Sequence, residues 1–221
     1  MNKLSGKDKH INLFINHPEC SQESCDGILE ALIPYYKVSL VNMHTIENKL
    51  FSASMIVFPG GIGDADTFDK FFTQHFKSLI HEYIHQGGRY LGICMGAYWA
   101  GKHYFNLLNG VEPVQYIKRP HSEIKRSYST VATVKWEDET QNMFFYDGCA
   151  LIGDKDNFDI VARYSNSDPM AIIQDQIGLI GCHPESQKFW YEKPRQYIEK
   201  YWHKNTHHEL LKKFVDRLTG M

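Results

Sequence analysis

No stretch of this sequence approaches 18 consecutive apolar residues, and the first ten, Met1 to His10, lack the apolar segment of a secretory signal. Neither a membrane span nor export is expected, and the default is a soluble cytoplasmic protein. Charge of one sign is also missing. The 24 Lys+Arg face 26 Asp+Glu, a net charge of -2, so no broad positive field recommends nucleic acid or a membrane as partner. Cysteine is scarce: five in 221 residues is an odd number at low density, which excludes a disulfide framework and points to reduced thiols. Cys20 and Cys25 lack the spacing of a zinc knuckle and have no second Cys/His pair, so no structural metal is expected. Internal repeats and low-complexity tracts are absent too.

What is present suits a globular protein. Hydrophobic residues make up 43% and charged residues 23%, ordinary values for a chain that buries a core, and the length predicts one domain over 1-221. Ile11 to Asn16, Val38 to Val41 and Met55 to Phe58 are short apolar runs that read as strands, the third stopping at Pro59-Gly60-Gly61. Ile28, Leu29, Leu32 and Ile33 recur at helical spacing. From Phe68 to Ile84 a longer apolar stripe predicts a helix that Gly87-Gly88 ends. Tyr90 to Ile93 reads as a buried strand, followed by a helix from Cys94 to Ala100. This alternation predicts a mainly parallel sheet covered on both faces.

The second half differs. Ser129 to Val134, Met143 to Tyr146, Ile160 to Tyr164, Ala171 to Gln174 and Ile177 to Cys182 read as strands, with hairpins extending the sheet. Asp175-Gln176 stands at hairpin spacing although it lacks the Gly that favours such turns. Leu210, Leu211, Phe214, Val215 and Leu218 share one face of a closing helix. Residues 112 to 128 read as a long loop. Its cluster Lys118, Arg119, His121, Lys125 and Arg126 is a solvated basic face more readily than an anion site.

Chemistry concentrates at Gly92-Ile93-Cys94-Met95-Gly96, a G-x-nucleophile-x-G pattern at a predicted strand-to-helix junction. A side chain on so sharp a bend needs neighbours without bulky Cβ groups, which Gly92 and Gly96 provide. Free N–H groups in the first turn of the following helix favour thiolate over thiol. A sulfur nucleophile needs a base to move its proton and an acid to orient that base. The run Ile177 to Cys182 ends in His183-Pro184-Glu185, which offers both at a strand end, where α/β folds place their chemistry. The backbone N–H groups of Gly60, Gly61 and Met95 are candidate donors to a developing oxyanion. Each part also has a plainer explanation: a buried Cys at a turn, a capping His, an ordinary Gly-Gly turn.

Phe58-Pro59-Gly60-Gly61, the Cys94 elbow and His183-Pro184-Glu185, in that order, together resemble the class I glutamine amidotransferase-like superfamily. Tyr90 to Tyr98, Phe145-Tyr146-Asp147-Gly148-Cys149, Val161-Ala162-Arg163-Tyr164 and Gly181 to Glu185 are most similar to the biotin-protein ligase N-terminal-domain family. The resemblance spans nearly the whole chain. It implies a flavodoxin-like three-layer α/β/α sandwich, its mostly parallel sheet extended by antiparallel strands in the C-terminal half. It also implies Cys94 as nucleophile, His183 as base and acid, and Glu185 as orienter in amide hydrolysis through a thioester. No cofactor is implied.

Glutamine-using members carry Gln four residues after the nucleophile, where this sequence has Tyr98. The resemblance therefore leaves open whether glutamine is the substrate, and Tyr98 becomes a candidate for contact with a different acyl group or for closing the pocket. The expected partners are a small-molecule amide and a synthetase or ligase that supplies the acceptor chemistry. The alternative is a binding or regulatory module that keeps the fold without turnover. A third reading, redox or glyoxalase-like chemistry, would need a helper carboxylate, with Asp64, Asp66 and Glu112 as unassigned candidates. Trp99, Tyr104 and His121 are further candidates to line a pocket.

Overall fold

A computed structural model describes residues 9–61, 71–192 and 196–220. The described residues fold into a mixed α/β sandwich around a nine-stranded sheet, with a separate two-stranded ribbon. In chain order the elements are β1 His10–Phe14, α1 Gln22–Leu32, β2 Lys37–Val41, α2 Ile46–Lys49, β3 Met55–Phe58, α3 Gln74–His85, β4 Arg89–Ile93, α4 Met95–Trp99 and β5 Val111–Gln115. They continue with β6 Thr130–Trp136, β7 Glu139–Phe145, β8 Cys149–Gly153, β9 Asp159–Tyr164, β10 Pro169–Gln174, β11 Ile177–Ile180 and α5 Lys204–Thr219. Among the described residues, no helix is long and apolar enough to cross a membrane.

The large sheet runs β2-β1-β3-β4-β11-β10-β9-β6-β7. Its first five strands are parallel and the rest antiparallel. The parallel strands β1, β3, β4 and β11 are almost wholly buried, as expected where helices cover both faces. A cluster of Phe14, Phe58, Phe71, Phe76, Trp99 and Phe105 packs ring against ring beneath α3 and α4. Elsewhere α5 lies on β4 and β11 and against α1. A Cβ at Gly178 of β11 would come within 2.7 Å of the Phe214 ring, so the helix seats on bare backbone there.

The predicted helix over 68–84 is present as α3, capped by Thr73, whose side chain accepts from the Phe76 N–H. Its expected start at Phe68 lies outside the described residues. The β10–β11 hairpin forms without glycine because Asp175 itself takes the left-handed conformation, at φ 51°, which Asp tolerates better than most residues.

Two features depart from the sequence expectation. Residues 112–115, assigned to a long loop, belong to β5, which pairs antiparallel with β8, itself unforeseen. Pro113 hides that strand, since proline removes a ladder donor and is tolerated only on exposed edges such as a two-stranded ribbon provides. The basic cluster is partly tied down: Arg119 forms an ion pair with Asp168 at 2.7 Å, Lys125 donates to Ser122 Oγ at 3.2 Å, and Arg126 lies over the Tyr128 ring.

Candidate active site

Three neighbouring parallel strands, β3, β4 and β11, end on the same edge of the sheet. Each releases one predicted part of the site there: Gly60-Gly61 after β3, Cys94 after β4 and His183 after β11. Parallel pairing is what brings residues separated by up to 123 positions together, since neighbouring C-terminal strand ends share one crevice.

Cys94 sits at φ 50°, ψ -104° between β4 and α4, a conformation that costs a non-glycine residue on the order of 1–3 kcal/mol and persists only where packing enforces it. The enforcement is visible. A Cβ at Gly92 would fall 2.3 Å from the Gly96 carbonyl oxygen, and one at Gly96 would fall 2.1 Å from that of Phe58, so any side chain at either glycine forces the bend open. Of the chain's five cysteines, all reduced and buried, only Cys94 lines the cavity described below. Burial pushes the Cys20 thiol up to about 12 and raises those of Cys25, Cys149 and Cys182 as well. Because α4 has only five residues, its dipole is small.

The Cys94 thiol donates to the Tyr146 carbonyl at 3.6 Å, and Cys94 is one of the groups that raise the His183 imidazole. The His183 Nδ1 stands 2.9 Å from Glu185 Oε1, which leaves Nε2 for the sulfur. Edge contacts from Phe144 and Trp190 hold the ring, at centroid distances of 5.9 and 5.3 Å. Burial opposes charge on this imidazole, but Cys94 and then Glu185 outweigh it, pushing His183 up to about 10. Glu185 is fully buried. Its Oε1 also accepts from Ser24 Oγ at 2.6 Å, and its Oε2 has no hydrogen-bond partner among the described residues.

Ser24 carries a link that the sequence did not reveal. Buried on α1, it donates to Glu185 and accepts from the Gly60 N–H at 2.9 Å, tying the glycine loop to the carboxylate. That commits the Gly60 donor, and the N–H groups of Gly61 and Met95 remain as oxyanion candidates. Gly60 still matters sterically, since a Cβ there would lie 2.7 Å from His183 Cε1. No local pattern marks Ser24, because its partner lies 161 positions away.

Cys94 and His183 open on a cavity of about 710 Å³, within the range of small-molecule sites, with Glu185 buried behind them. Tyr98, Trp99 and Tyr104 line it as expected, whereas His121 does not. The Tyr98 hydroxyl donates to the Asp147 carbonyl at 3.1 Å, and burial, followed by Cys149, Cys94 and Asp147, pushes that phenol far above its ordinary range. Tyr98 thus serves as a neutral wall and strut. The sequence reading missed Gln115, Phe144, Tyr146, Asp147 and Trp190 on the lining. Of the helper carboxylates considered, Glu112 pairs at 4.0 Å with Lys102 and does not line the cavity, while Asp64 and Asp66 lie outside the described residues.

Comparison with known proteins agrees with the resemblance read from the motifs. Residues 16–111, which include Gly60, Gly61, Cys94 and Tyr98, match the model of the family described as biotin-protein ligase, N terminal. The biotin-protein ligase of Schizosaccharomyces pombe is 24% identical over 200 residues, a match taking in 75% of this chain and 31% of that protein. The chain therefore spans about a third of the length of the curated relative it matches. A glutamine amidotransferase from Thermotoga maritima shares the fold with a TM-score of 0.67 at 12% identity, covering 96% of this chain and 98% of that one. A chain of PurLQS from the same organism gives 0.66 at 14% identity, covering 95% and 98%. At such identities the likeness shows the fold, the flavodoxin-like sandwich of class I glutamine amidotransferases.

Proposed function

We propose that the protein is a cysteine-dependent amidohydrolase or amidotransferase-like enzyme that works through a thioester. One observation carries this reading: Cys94, on an enforced bend, meets an imidazole that Glu185 holds from behind, and both Cys94 and His183 face one cavity. In the proposed cycle Cys94 sulfur attacks the amide carbon, and the oxyanion forms against the N–H groups of Gly61 and Met95. The imidazolium of His183 gives its proton to the departing nitrogen as the C–N bond breaks. Water gives one proton to the now neutral His183 as its oxygen attacks the thioester, and breakdown of that adduct releases the carboxylic acid and leaves the Cys94 thiolate beside the imidazolium. Glu185 stays ionised and fixes the ring, as acids do in such arrangements.

A protein partner that takes up the released amine fits the structural likeness to a chain of PurLQS, and the five free thiols suit a reducing, cytoplasmic setting. Residues 1-221 then form one amidotransferase-like domain. Ammonia release from a panel of primary amides tests this function: the wild-type chain turns over at least one of them and Cys94→Ser turns over none. Equal rates for the two proteins would contradict it. A second reading, a binding or regulatory module, is favoured by the match to the N-terminal part of a ligase. It predicts instead that Cys94→Ser leaves partner binding and any cellular phenotype unchanged.

A further inference from the structure

The charge distribution around the cavity is lopsided. Among its described lining residues are two carboxylates, Asp147 and the rim residue Glu23, and no Lys or Arg. Asp147 is held from both ends. Its backbone, in the left-handed region at φ 51°, accepts from the Tyr98 hydroxyl through its carbonyl. Its two carboxylate oxygens accept from Gln115 Nε2 at 3.3 and 3.1 Å. Gln115 is neutral, so it orients the charge without cancelling it, and a carboxylate can accept about four hydrogen bonds in all. No described cation pairs with Asp147.

Position makes this charge part of the substrate site. The carbonyl of the preceding residue, Tyr146, lies 3.6 Å from Cys94 Sγ, so Asp147 sits one residue beyond the reacting atom. The same cavity is lined by Tyr98, Trp99, Tyr104, Phe144, Tyr146 and Trp190, aromatic side chains of the kind that attract a cation as well as carbon skeleton. A substrate carboxylate brought against Asp147 would meet like charge, with no Lys or Arg among the described lining residues to offset it, which selects against it.

Building on the amide-hydrolysis reading, we propose that the site takes an amide whose far end carries a positive charge, an ammonium or guanidinium group paired with Asp147 and flanked by the aromatic walls. Such a substrate would place its carbonyl at Cys94 and its cation at the carboxylate that Gln115 and Tyr98 hold in place. Tyr98 then decides specificity by bracing Asp147.

Calorimetric binding to the Cys94→Ala protein tests this without requiring turnover. The probes are L-glutaminamide, which has an ammonium and no carboxylate, N-acetyl-L-glutamine, which has the reverse, and L-glutamine, which has both. The expected order is glutaminamide tightest, by about tenfold over N-acetylglutamine, as one partly buried ion pair can supply. Adding Asp147→Asn, which keeps the side-chain shape, should collapse that difference. N-acetylglutamine binding as tightly as glutaminamide, an order untouched by Asp147→Asn, or binding of none of the three would overturn the proposal. Ammonia release by the wild-type chain judges the hydrolase reading separately: a cation preference without turnover would remove that reading and leave this one standing.

Discussion

His183, after β11, and His207, near the start of α5, are both buried side chains, and their surroundings drive them in opposite directions. His183 faces Cys94 and Glu185 and is pushed up to about 10 despite its burial. His207 is lowered to about 4, first by burial and then by His203 and His208. Neither of its ring nitrogens has a hydrogen-bond partner among the described residues. Depth alone therefore decides little. Where anions and hydrogen bonds were supplied, the fold keeps a proton in its interior; where they were not, it expels one. The first arrangement suits a site that must move a proton, and the second is a structural position that weakens in acid.

The comparison breaks most completely if the groups beside His183 are removed. Cys94→Ala should abolish ammonia release while leaving the thermal midpoint near that of the wild type. It should also move the His183 titration downward, measured by NMR of the imidazole protons. An unshifted imidazole would mean that the sulfur is not its main partner. Glu185→Gln should lower kcat by roughly 10³–10⁴, the scale seen when the orienting acid of such a set is replaced by its amide, and steady-state rates across pH would show it.

The opposite limb concerns stability. The folded value of His207 lies below the ordinary 6.5, so between pH 6.5 and about 4 the unfolded chain binds more protons and stability falls as pH falls. A shift of that size corresponds to about 3 kcal/mol. Urea denaturation at a series of pH values should show this loss in the wild-type chain and largely remove it in His207→Leu. For His183 the sign reverses, because a raised folded value stabilises fully below 6.5 and that contribution is lost as pH rises through about 10. The smallest effect is expected at Ser24. Ser24→Ala removes the hydrogen bond to the Glu185 carboxylate, worth about 1.5–3 kcal/mol, together with the one accepted from the Gly60 N–H, and should slow turnover by about tenfold while shifting the His183 titration only slightly.

Much of this contrast could be read from the chain, and the remainder could not, for physical reasons. The parallel half is built from apolar runs that end at glycine or Cys, so the strands carrying Gly60, Cys94 and His183 show themselves through period and punctuation. Glycines at 92 and 96 stand in the sequence because the backbone passes within contact of other carbonyls, and that requirement survives as a motif. Ser24 and Gln115 leave no such trace, and Asp147 stands in a family-like segment that does not mark it as a charge on the cavity. Each matters through a partner distant in sequence, and serine on a helix or asparagine-like turns before a glycine are ordinary. The β5–β8 ribbon escaped because Pro113 and partial burial erase alternation. His207 reads as one polar residue in a His-rich stretch, and its burial follows only from how α5 docks.

The central claim, that Cys94, His183 and Glu185 act as one unit, is tested most directly by the rate at which iodoacetamide alkylates each cysteine, read by peptide mass spectrometry. The expected result is rapid modification of Cys94, slow or no modification of Cys20, Cys25, Cys149 and Cys182, and a marked fall in the Cys94 rate in His183→Ala. Comparable rates at all five thiols, or a Cys94 rate indifferent to His183, would contradict the account.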